Sequence, residues 1–359
     1  MININILGLV ERLAEGEDVI IAEGYLFEFE RRGLLKAGSF VPEVVLEFPE
    51  RVLDLHEEFV HAGSDVVQAF TYYGHREKMR LIGKEHLLEK LNIDALKIAR
   101  RVADRTGTLM AGNICNTTIY QKDNQELAEQ TEAMFKEQIQ WAEGNGADFI
   151  IAETFLDYGE AELALECIKK YGNGLPALVN LTPPATETTF DGKPIDVACK
   201  MLEDKGAAVV GLNCSRGPGT IIPLIKKVRE MCKGPIACLP VPYRTTPEQP
   251  IMQSLVDPDT NKMAFPENLP AFQCSRYQIR EFAKQCKEIG VEVVGLCCGN
   301  ASHYMREVAE VYGRKPPASK YSTDMSLHFM YGNQAHFSKH YTQGYKKRFT
   351  SKTKHDESN

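Results

Sequence analysis

The sequence predicts an α/β protein that folds as a single (β/α)8 (TIM) barrel with a C-terminal arm. Two observations lead to this prediction: eight short apolar runs, and the amphipathic stretches that separate them. A chain of 359 residues often forms two or three domains, but α/β barrels reach this length as one domain. A doubly wound sheet with a second domain is the alternative. It is less favoured because the units are evenly spread and no Gly-x-Gly-x-x-Gly motif follows the first run.

The predicted strands are rich in β-branched residues, and their hydrophobicity is continuous rather than alternating. This is typical of parallel strands that are buried on both faces. In chain order they are Asp18–Gly24, Asp65–Thr71, Leu109–Cys115, Ala147–Thr154, Pro176–Thr182, Ala207–Cys214, Gly234–Val241 and Val291–Gly299.

The predicted helices carry apolar residues at steps of three and four. Several of them end at a glycine just before the next strand, where the left-handed cap conformation costs little: Gly63, Gly146, Gly206 and Gly290. In chain order the helices are Pro42–Ala62, Ile93–Asp104, Gln125–Gly144, Gly159–Tyr171, Pro194–Lys205, Thr220–Met231, Ser275–Ile289 and Ala301–Val311.

The composition is that of an ordinary globular enzyme, with 43% hydrophobic and 25% charged residues. The net charge of −7 argues against a nucleic-acid partner, and no apolar run is long enough to predict a membrane span. The N-terminal residues lack the basic region and cleavage site of a signal peptide. The ten cysteines form no dense framework, so we expect reduced thiols and a cytoplasmic location.

Three cysteines stand at predicted strand ends. Cys214 ends the run Val-Val-Gly-Leu-Asn-Cys, and Cys297 and Cys298 end the similar run Val-Val-Gly-Leu-Cys-Cys. All strands of a barrel end at the same mouth, so the three thiols converge. Three thiolates with an open fourth position are typical of a zinc site that binds a substrate. Buried apolar cysteines or a vicinal disulfide are the alternatives.

Other polar and aromatic residues occupy the same ends: Glu23, Gly24, Gln68, Tyr72, Tyr73, Asn113 and Glu153. Catalytic residues of barrels lie at these ends, which favours a functional reading of the two acids. Each acid could instead be an ion-pair partner or a helix cap. The two tyrosines could simply pack beyond a strand.

Six segments resemble one known family: Arg-Arg-Gly-Leu-Leu-Lys-Ala-Gly (31–38), Gln-Ala-Phe-Thr-Tyr-Tyr (68–73), Ile-Ala-Glu (151–153), Gly-Leu-Asn-Cys (211–214), Gly-Leu-Cys-Cys-Gly (295–299) and Lys-Pro-Pro-Ala-Ser (315–319). Over about residues 10–320 the chain is similar to the homocysteine S-methyltransferase family, and most to its betaine-dependent branch. The Asn-Cys and Cys-Cys-Gly pair is the most specific of these motifs.

The resemblance implies one Zn²⁺ per chain, held by Cys214, Cys297 and Cys298. It implies homocysteine as the methyl acceptor and methionine as the product, with glycine betaine as the donor and dimethylglycine as the second product. The residues expected to bind the two substrates are Glu23, Gly24, Phe40, Gln68, Tyr72, Tyr73 and Glu153, of which Glu153 and Tyr73 are expected to be catalytic. Glu23 and Glu153 would hold the amino group of homocysteine.

Four residues differ from the betaine-dependent pattern, and the loop after the first strand is one residue shorter. Glu23 stands for an aspartate, Tyr25 for a glycine, Phe40 for a tryptophan and Thr154 for a tyrosine. We expect these differences to lie near the donor. A sulfonium donor, S-methylmethionine or dimethylsulfoniopropionate, is therefore the alternative to betaine. A redox or structural thiol protein that uses the barrel only as a scaffold is a remote third hypothesis.

The expected chemistry joins a thiolate to an onium methyl group. A free thiol has a pKa near 8.5, and coordination to zinc deprotonates it. The methyl carbon needs a good leaving group, which a quaternary ammonium or a sulfonium provides. Aromatic faces from Phe40, Tyr72 and Tyr73 would each attract such a cation by about 0.5–2 kcal/mol.

The barrel pattern stops after Pro317. Residues 318–345 are rich in aromatic residues and histidine, and we expect an oligomerisation arm that supports a homodimer or homotetramer, as the resemblance implies. A second metal at His328, His336 and His340 is a weak alternative because their spacing fits a helix face only loosely. Residues 346–359 are charged and are predicted to form a disordered tail.

Overall fold

A computed structural model describes residues 7–351 and contains a closed barrel of eight parallel strands in sequential order. The first strand pairs with the last, which closes the barrel and confirms the predicted fold. Each predicted run overlaps one strand. The strands are β1 (Val19–Ala22), β2 (Val66–Gln68), β3 (Leu109–Cys115), β4 (Phe149–Phe155), β5 (Ala177–Leu181), β6 (Val209–Asn213), β7 (Ile236–Leu239) and β8 (Val293–Leu296).

Helices follow the strands and surround the barrel. They are α1 (Leu9–Ala14), α2 (Tyr25–Arg31), α3 (Val44–Glu47), α4 (Pro49–Ala62), α5 (Arg76–Leu81), α6 (Leu88–Thr106), α7 (Gln125–Gly144), α8 (Tyr158–Tyr171), α9 (Ile195–Asp204), α10 (Pro218–Met231), α11 (Arg276–Ile289), α12 (Ser302–Val311) and α13 (Lys346–Thr350). The four cap glycines have positive φ angles, as predicted. Within the described chain, every helix is too short or too polar to cross a membrane.

One helix prediction was wrong in detail. The stretch predicted as a single helix over Pro42–Ala62 is two helices, α3 and α4, that are interrupted at Phe48. Phe48 has φ −140° and ψ 60° because the ring of Pro49 disfavours a helical conformation in the residue before it. Pro49 then starts α4, where its missing N–H group costs nothing. The short helices α1, α2 and α5 were not predicted.

The barrel interior is layered, since successive side chains of a strand point to opposite faces. An apolar layer fills the interior and includes Ile21, Val66, Ala111, Ile151 and Leu178. Two residues further along the same strands, the inward positions become polar: Glu23, Gln68, Asn113, Glu153 and Asn180. The outward side chains of the strands pack with the helices in a second, larger apolar core. A polar layer therefore lies on an apolar base at the C-terminal mouth of the barrel.

The described residues from Ala318 to Ser351 belong to a second compact unit. It contains short turns, a π-helical turn at His340–Tyr345 and α13. Residues Lys346–Thr350, which we predicted to be in a disordered tail, are helical, and residues 352–359 lie outside the described residues. In the described residues, the groups that could hold a metal lie in the barrel, so the three arm histidines do not form such a site.

Candidate functional site

Three cysteine side chains meet at the C-terminal mouth of the barrel. Their Sγ atoms all lie within 4.8 Å of one another, and we call Cys214, Cys297 and Cys298 the thiol cluster. The Sγ atom of Cys298 is 3.8 Å from that of Cys214 and 3.9 Å from that of Cys297. All ten cysteines are free thiols, and a disulfide would need a separation of about 2 Å. The vicinal pair is therefore not a disulfide.

The geometry of the thiol cluster fits a zinc ion. In a tetrahedral site with Zn–S bonds of about 2.3 Å, two sulfur ligands lie about 3.8 Å apart. The two separations given above are close to this value. Hydrogen bonds with Cys297 and Cys298 lower the pKa of Cys214 well below its usual range, and the same contacts raise the pKa of both partners. The cluster thus favours a shared negative charge, and three soft ligands suit zinc.

The backbone directs Cys214 into this cluster. The strand alternation of β6 places Asn213 inward, so the next side chain would point toward the helices. Cys214 and Ser215 instead adopt φ angles of 59° and 57°, which turn the chain at the end of the strand. Such conformations are costly for residues other than glycine, and they persist where the surrounding structure imposes them.

Gly24 allows the end of β1 to approach Cys297. A Cβ atom on Gly24 would collide with the carbonyl oxygen of Cys297, and its φ of 91° also favours glycine. Gly24 is therefore required for close packing behind the thiol cluster. No other residue type fits without displacing the strand ends.

A network of buried polar side chains lies beside the thiols, and we call it the polar floor: Glu23, Gln68, Asn113, Glu153, Asn180 and Asn213. Gln68 and Asn113 each donate a 2.7 Å hydrogen bond to Oε1 of Glu153. Asn213 donates to Oε2 of Glu153 at 2.7 Å and to Oε2 of Glu23 at 3.3 Å. Two carboxyl groups from opposite sides of the barrel are thereby linked through one amide.

The polar floor suits a cationic group. Burial raises the pKa of Glu153 to about 7, and burial together with the charge of Glu153 raises that of Glu23 well above its usual range. In the described structure, acceptor oxygens of Glu23, Gln68 and Asn113 are buried without a hydrogen-bond partner. A buried acceptor without a donor is unfavourable, so this group of acceptors matches the three N–H donors of an ammonium group.

A larger cavity of about 340 Å³ opens on the other side of the thiols and is lined by Cys214 and Cys298. We call it the aromatic cavity after six of its lining residues: Phe27, Phe40, Tyr72, Tyr73, Phe190 and Phe265. Apart from the two cysteines of the thiol cluster, none of the described residues that line it is acidic or basic. Burial raises the pKa of Tyr72 and that of Tyr73, the latter to about 12, so both phenols are neutral near pH 7. The cavity is therefore neutral and rich in aromatic faces.

Three of these aromatic residues were not predicted. Phe27 lies on α2, while Phe190 and Phe265 lie in the loops after β5 and β7. The centroid of the Phe27 ring lies 5.6 Å from that of Phe40 and 6.3 Å from that of Phe265. Rings from distant parts of the chain therefore form one wall. Loop residues show no periodicity that would locate them. Asn213 was recognised as a strand-end residue in the Asn-Cys motif, but no role was predicted for it.

Backbone strain is concentrated at this site. Of the ten non-glycine residues with positive φ among those described, five belong to its walls: Phe40, Tyr73, Thr154, Cys214 and Ser215. Residues in this region cost free energy that the surrounding packing must offset. The site is therefore held in shape by its surroundings.

The structure brings together all ten residues that were predicted for the site. The cysteines form the thiol cluster, Glu23, Gln68 and Glu153 belong to the polar floor, and Gly24 packs behind Cys297. Phe40, Tyr72 and Tyr73 line the aromatic cavity.

The four residues that differ from the betaine-dependent pattern do not all line the aromatic cavity, and their position relative to the donor stays a prediction. Phe40 and Thr154 line the aromatic cavity. Glu23 belongs to the polar floor, and Tyr25 lines a narrow space with Gln68 and Glu153, outside the aromatic cavity. The reason is that Glu23 faces inward at the end of β1, and the ring of Tyr25 packs 5.1 Å from that of His56 on α4.

Sequence comparisons identify relatives over most of the chain. A family model described as homocysteine S-methyltransferase matches residues 24–312. Betaine--homocysteine S-methyltransferase 1 of Mus musculus is 32% identical over 333 residues, which cover 87% of this chain and 77% of the relative. S-methylmethionine--homocysteine S-methyltransferase BHMT2 of Pongo abelii is 32% identical over 328 residues, covering 87% and 84% of the two chains.

A solved structure supports the fold. The metallated form of the homocysteine methyltransferase MmuM from Escherichia coli superimposes with a TM-score of 0.66 at 18% identity, covering 84% of this chain and 99% of that chain. At this identity the likeness concerns the fold alone.

Proposed function

The chain belongs to the homocysteine S-methyltransferase family, and we propose that it transfers a methyl group from glycine betaine to L-homocysteine with one zinc ion per chain. Methyl transfer to homocysteine is the activity that the family gives this protein. The donor, the metal and the residue roles are our proposal. The observation that carries it is the position of the thiol cluster between two buried carboxyl groups and a neutral aromatic cavity.

We propose that the polar floor binds the amino group of homocysteine. Glu23 and Glu153 would accept its N–H donors, and Gln68 and Asn113 hold Glu153 in place. An ammonium beside the two carboxyl groups favours their charged forms, which offsets the burial that raises their pKa values. The thiol of homocysteine would then reach the thiol cluster, because Glu23, Glu153 and Cys297 all offer ligand atoms within 4.8 Å of one another.

We propose that the thiol cluster holds zinc. Bound there, zinc would supply Lewis acidity that lowers the pKa of the homocysteine thiol, so that its thiolate is available at neutral pH. The thiol proton leaves to solvent. The sulfur then attacks a methyl carbon of the donor in line: a carbon–sulfur bond forms, the carbon–nitrogen bond breaks, and its electron pair stays on nitrogen as dimethylglycine.

The aromatic cavity would hold the onium group. Phe40 and Tyr72 offer ring faces to the onium cation, and Tyr73 would orient the donor for transfer. A thiolate and an onium become neutral as methyl moves, so an environment with little water costs the transition state less than it costs the separated charges. A neutral cavity therefore suits this reaction.

A sulfonium donor is the second candidate. The relatives are named for betaine in one case and for S-methylmethionine in the other, at the same identity of 32%. Phe40 does not distinguish the two donors either. Both are cations, and phenylalanine attracts any cation less strongly than tryptophan does. We keep glycine betaine first because the matched sequence segments are most similar to the betaine-dependent branch.

We further propose that the protein acts in the cytoplasm as a homodimer or homotetramer. The support for assembly is the second unit from Ala318, where several large apolar side chains are exposed: Tyr321, Leu327, Phe329, Tyr331, Tyr341 and Phe349. Exposed apolar clusters of this kind are common at interfaces between subunits.

The test uses full-length, zinc-loaded protein with homocysteine and glycine betaine that carries deuterium in its methyl groups. We expect labelled methionine and an equal amount of dimethylglycine, both measured by mass spectrometry, and loss of product after chelation. S-methylmethionine and dimethylsulfoniopropionate are tested in parallel. Methionine from a sulfonium alone would overturn the betaine assignment, and activity that survives complete zinc removal would overturn the metal assignment.

A further inference from the structure

A lysine lies against one of the aromatic residues of the cavity. The ammonium nitrogen of Lys78, on α5, is 4.0 Å from the centre of the Tyr73 ring. This is the shortest cation–π contact among the described residues, the others being 4.9 Å or longer. Lys78 does not line the cavity itself, but it touches a residue that does. A positive charge therefore lies directly behind one part of the cavity wall.

Within residues 7–351, this ammonium forms no salt bridge. Among the described residues, no carboxylate lies within salt-bridge distance of Lys78, whereas its neighbour Glu77 is bound by Arg80 at 2.7 Å. The side chain of Lys78 is half-buried, and this burial lowers its pKa. Half-burying a cation without a counter-ion costs free energy. An anion that binds beside the cation stabilises its charged form and offsets this cost.

Arg216, a second cation near the cavity in sequence, already has hydrogen-bond partners. Arg216, which follows the thiol cluster in sequence, donates to the carbonyl oxygens of Pro184 and Ala185 at 2.6 and 3.0 Å. It also donates to the carbonyl oxygen of Thr220. Since its donors are used in holding the loop after β5, Arg216 is not free to receive an anion from the cavity. Lys78, by contrast, forms no hydrogen bond or salt bridge among the described residues.

We propose that Lys78, as a positive charge behind the Tyr73 ring and not as a direct ligand, attracts the carboxylate of the methyl donor to the Tyr73 end of the aromatic cavity. The inference rests on the proposed function and names the donor class as an onium that carries a carboxylate. Glycine betaine, S-methylmethionine and dimethylsulfoniopropionate all belong to that class, so it holds for each of them. Lys78 is a specificity-determining residue in this scheme, because it distinguishes such donors from simple cations.

The same charge orients the donor. An onium group next to Tyr73 would be repelled by the positive charge of Lys78. One face of the Tyr73 ring is also already covered by the Lys78 ammonium. The onium is therefore directed away from Tyr73, toward Phe40, Tyr72 and the sulfur of Cys298. The carboxylate takes the Tyr73 end. The transferable methyl group then faces the thiol cluster, as in-line attack requires.

The experiment compares Lys78→Met and Lys78→Arg with wild-type protein in the methionine assay. The KM for glycine betaine is measured together with the inhibition constant of choline, which has the same trimethylammonium group but no carboxylate. In Lys78→Met we expect the KM for glycine betaine to rise about tenfold, because the Coulomb attraction of the carboxylate is lost, with kcat changed by less than about threefold. Choline should bind equally well or more tightly, and Lys78→Arg should restore most of the betaine affinity.

The matched control is Lys136→Met. Lys136 is exposed on α7 and lies 5.3 Å from the ring of Tyr171, outside the site, so its removal should change neither constant. Equal weakening of betaine and choline in Lys78→Met, a loss confined to kcat, or no change at all would each overturn the inference. If wild-type protein makes no methionine with any of the three donors, the proposed function itself fails, which is a different result from active wild type with an unselective variant.

Discussion

The polar floor and the aromatic cavity share the thiol cluster but are built in different ways. The floor consists of side chains at inward positions near the ends of strands, tied to one another by short hydrogen bonds. The cavity wall consists mostly of rings from helix α2 and from loops, held by packing. A barrel fixes its strand ends through eight neighbouring pairs, while loops are free to differ.

This difference separates the two halves of the reaction. The polar floor, which would bind homocysteine, is buried and joined by hydrogen bonds. Replacing one of its residues therefore leaves a buried hydrogen-bond partner of another residue unpaired. The group that would receive the donor is neutral and adaptable, so a ring can be exchanged at modest cost. We therefore expect large effects from changes in the thiol cluster and the floor, and smaller effects from changes in the cavity.

The largest effect is expected for Cys297→Ser. Removing one of three thiolates leaves a weaker, oxygen-containing ligand set, so zinc should be lost and methionine formation abolished. Metal content by mass spectrometry and the methionine assay measure both. Cys286→Ser is the matched control, because Cys286 is equally buried but lies on α11 outside the thiol cluster. Full activity of Cys297→Ser without zinc would contradict the site.

The next effect tests the floor. Glu153→Gln keeps the shape of the side chain but removes the charge that would bind an ammonium, so the KM for homocysteine should rise about a hundredfold, equivalent to about 2.7 kcal/mol. Zinc content and the KM for the donor should change little. The control is Glu160→Gln, which alters a second buried glutamate outside the floor. A donor KM that rises as much as the homocysteine KM would show that floor and cavity are not separate.

A smaller effect tests the cavity. Phe40→Trp enlarges the aromatic face in the wall, and tryptophan is the strongest cation–π partner, so the KM for glycine betaine should fall about two- to fivefold. The KM for homocysteine should stay the same, and this serves as the internal control. If Phe40→Trp instead has a higher KM for betaine and a lower KM for S-methylmethionine than wild type, the cavity is shaped for a sulfonium donor.

The last prediction concerns the stability of the fold, and we expect it to have the smallest effect on activity. Glu160 accepts hydrogen bonds from the backbone N–H and hydroxyl of Thr117, next to the cavity residue Asn116. Burial raises its pKa from 4.5 to about 7, so folding disfavours the charged carboxylate. Its contribution to stability is full below about pH 4.5 and is lost as pH rises to about 7, by up to about 3 kcal/mol.

Glu160→Gln removes this titration. Relative to wild type, the variant should gain unfolding free energy between about pH 5 and about pH 8, as measured by urea denaturation at both values. Glu166→Gln, an exposed position on the same helix, should show no such gain. A constant difference between Glu160→Gln and wild type at the two pH values would mean that Glu160 does not titrate in this window.

Much of the barrel follows from local pattern. Continuous apolar runs, amphipathic steps and cap glycines are short-range signals, and they predicted all eight strands, although the helix over Pro42–Ala62 is interrupted where Pro49 follows Phe48. The strand ends of a barrel converge whatever the loops do. For that reason the sequence alone located the three cysteines and the two glutamates at one mouth.

Tertiary structure decided what those residues face. Strand alternation would turn Cys214 outward, and only a left-handed backbone imposed by its surroundings brings its sulfur to Cys297 and Cys298. The position of Phe265 in the cavity wall depends on a long loop, and the contact of Lys78 with Tyr73 depends on how α5 packs. Sequence periodicity reports which side of its own element a residue occupies. Contacts between elements depend on packing across the whole chain, which no local pattern contains.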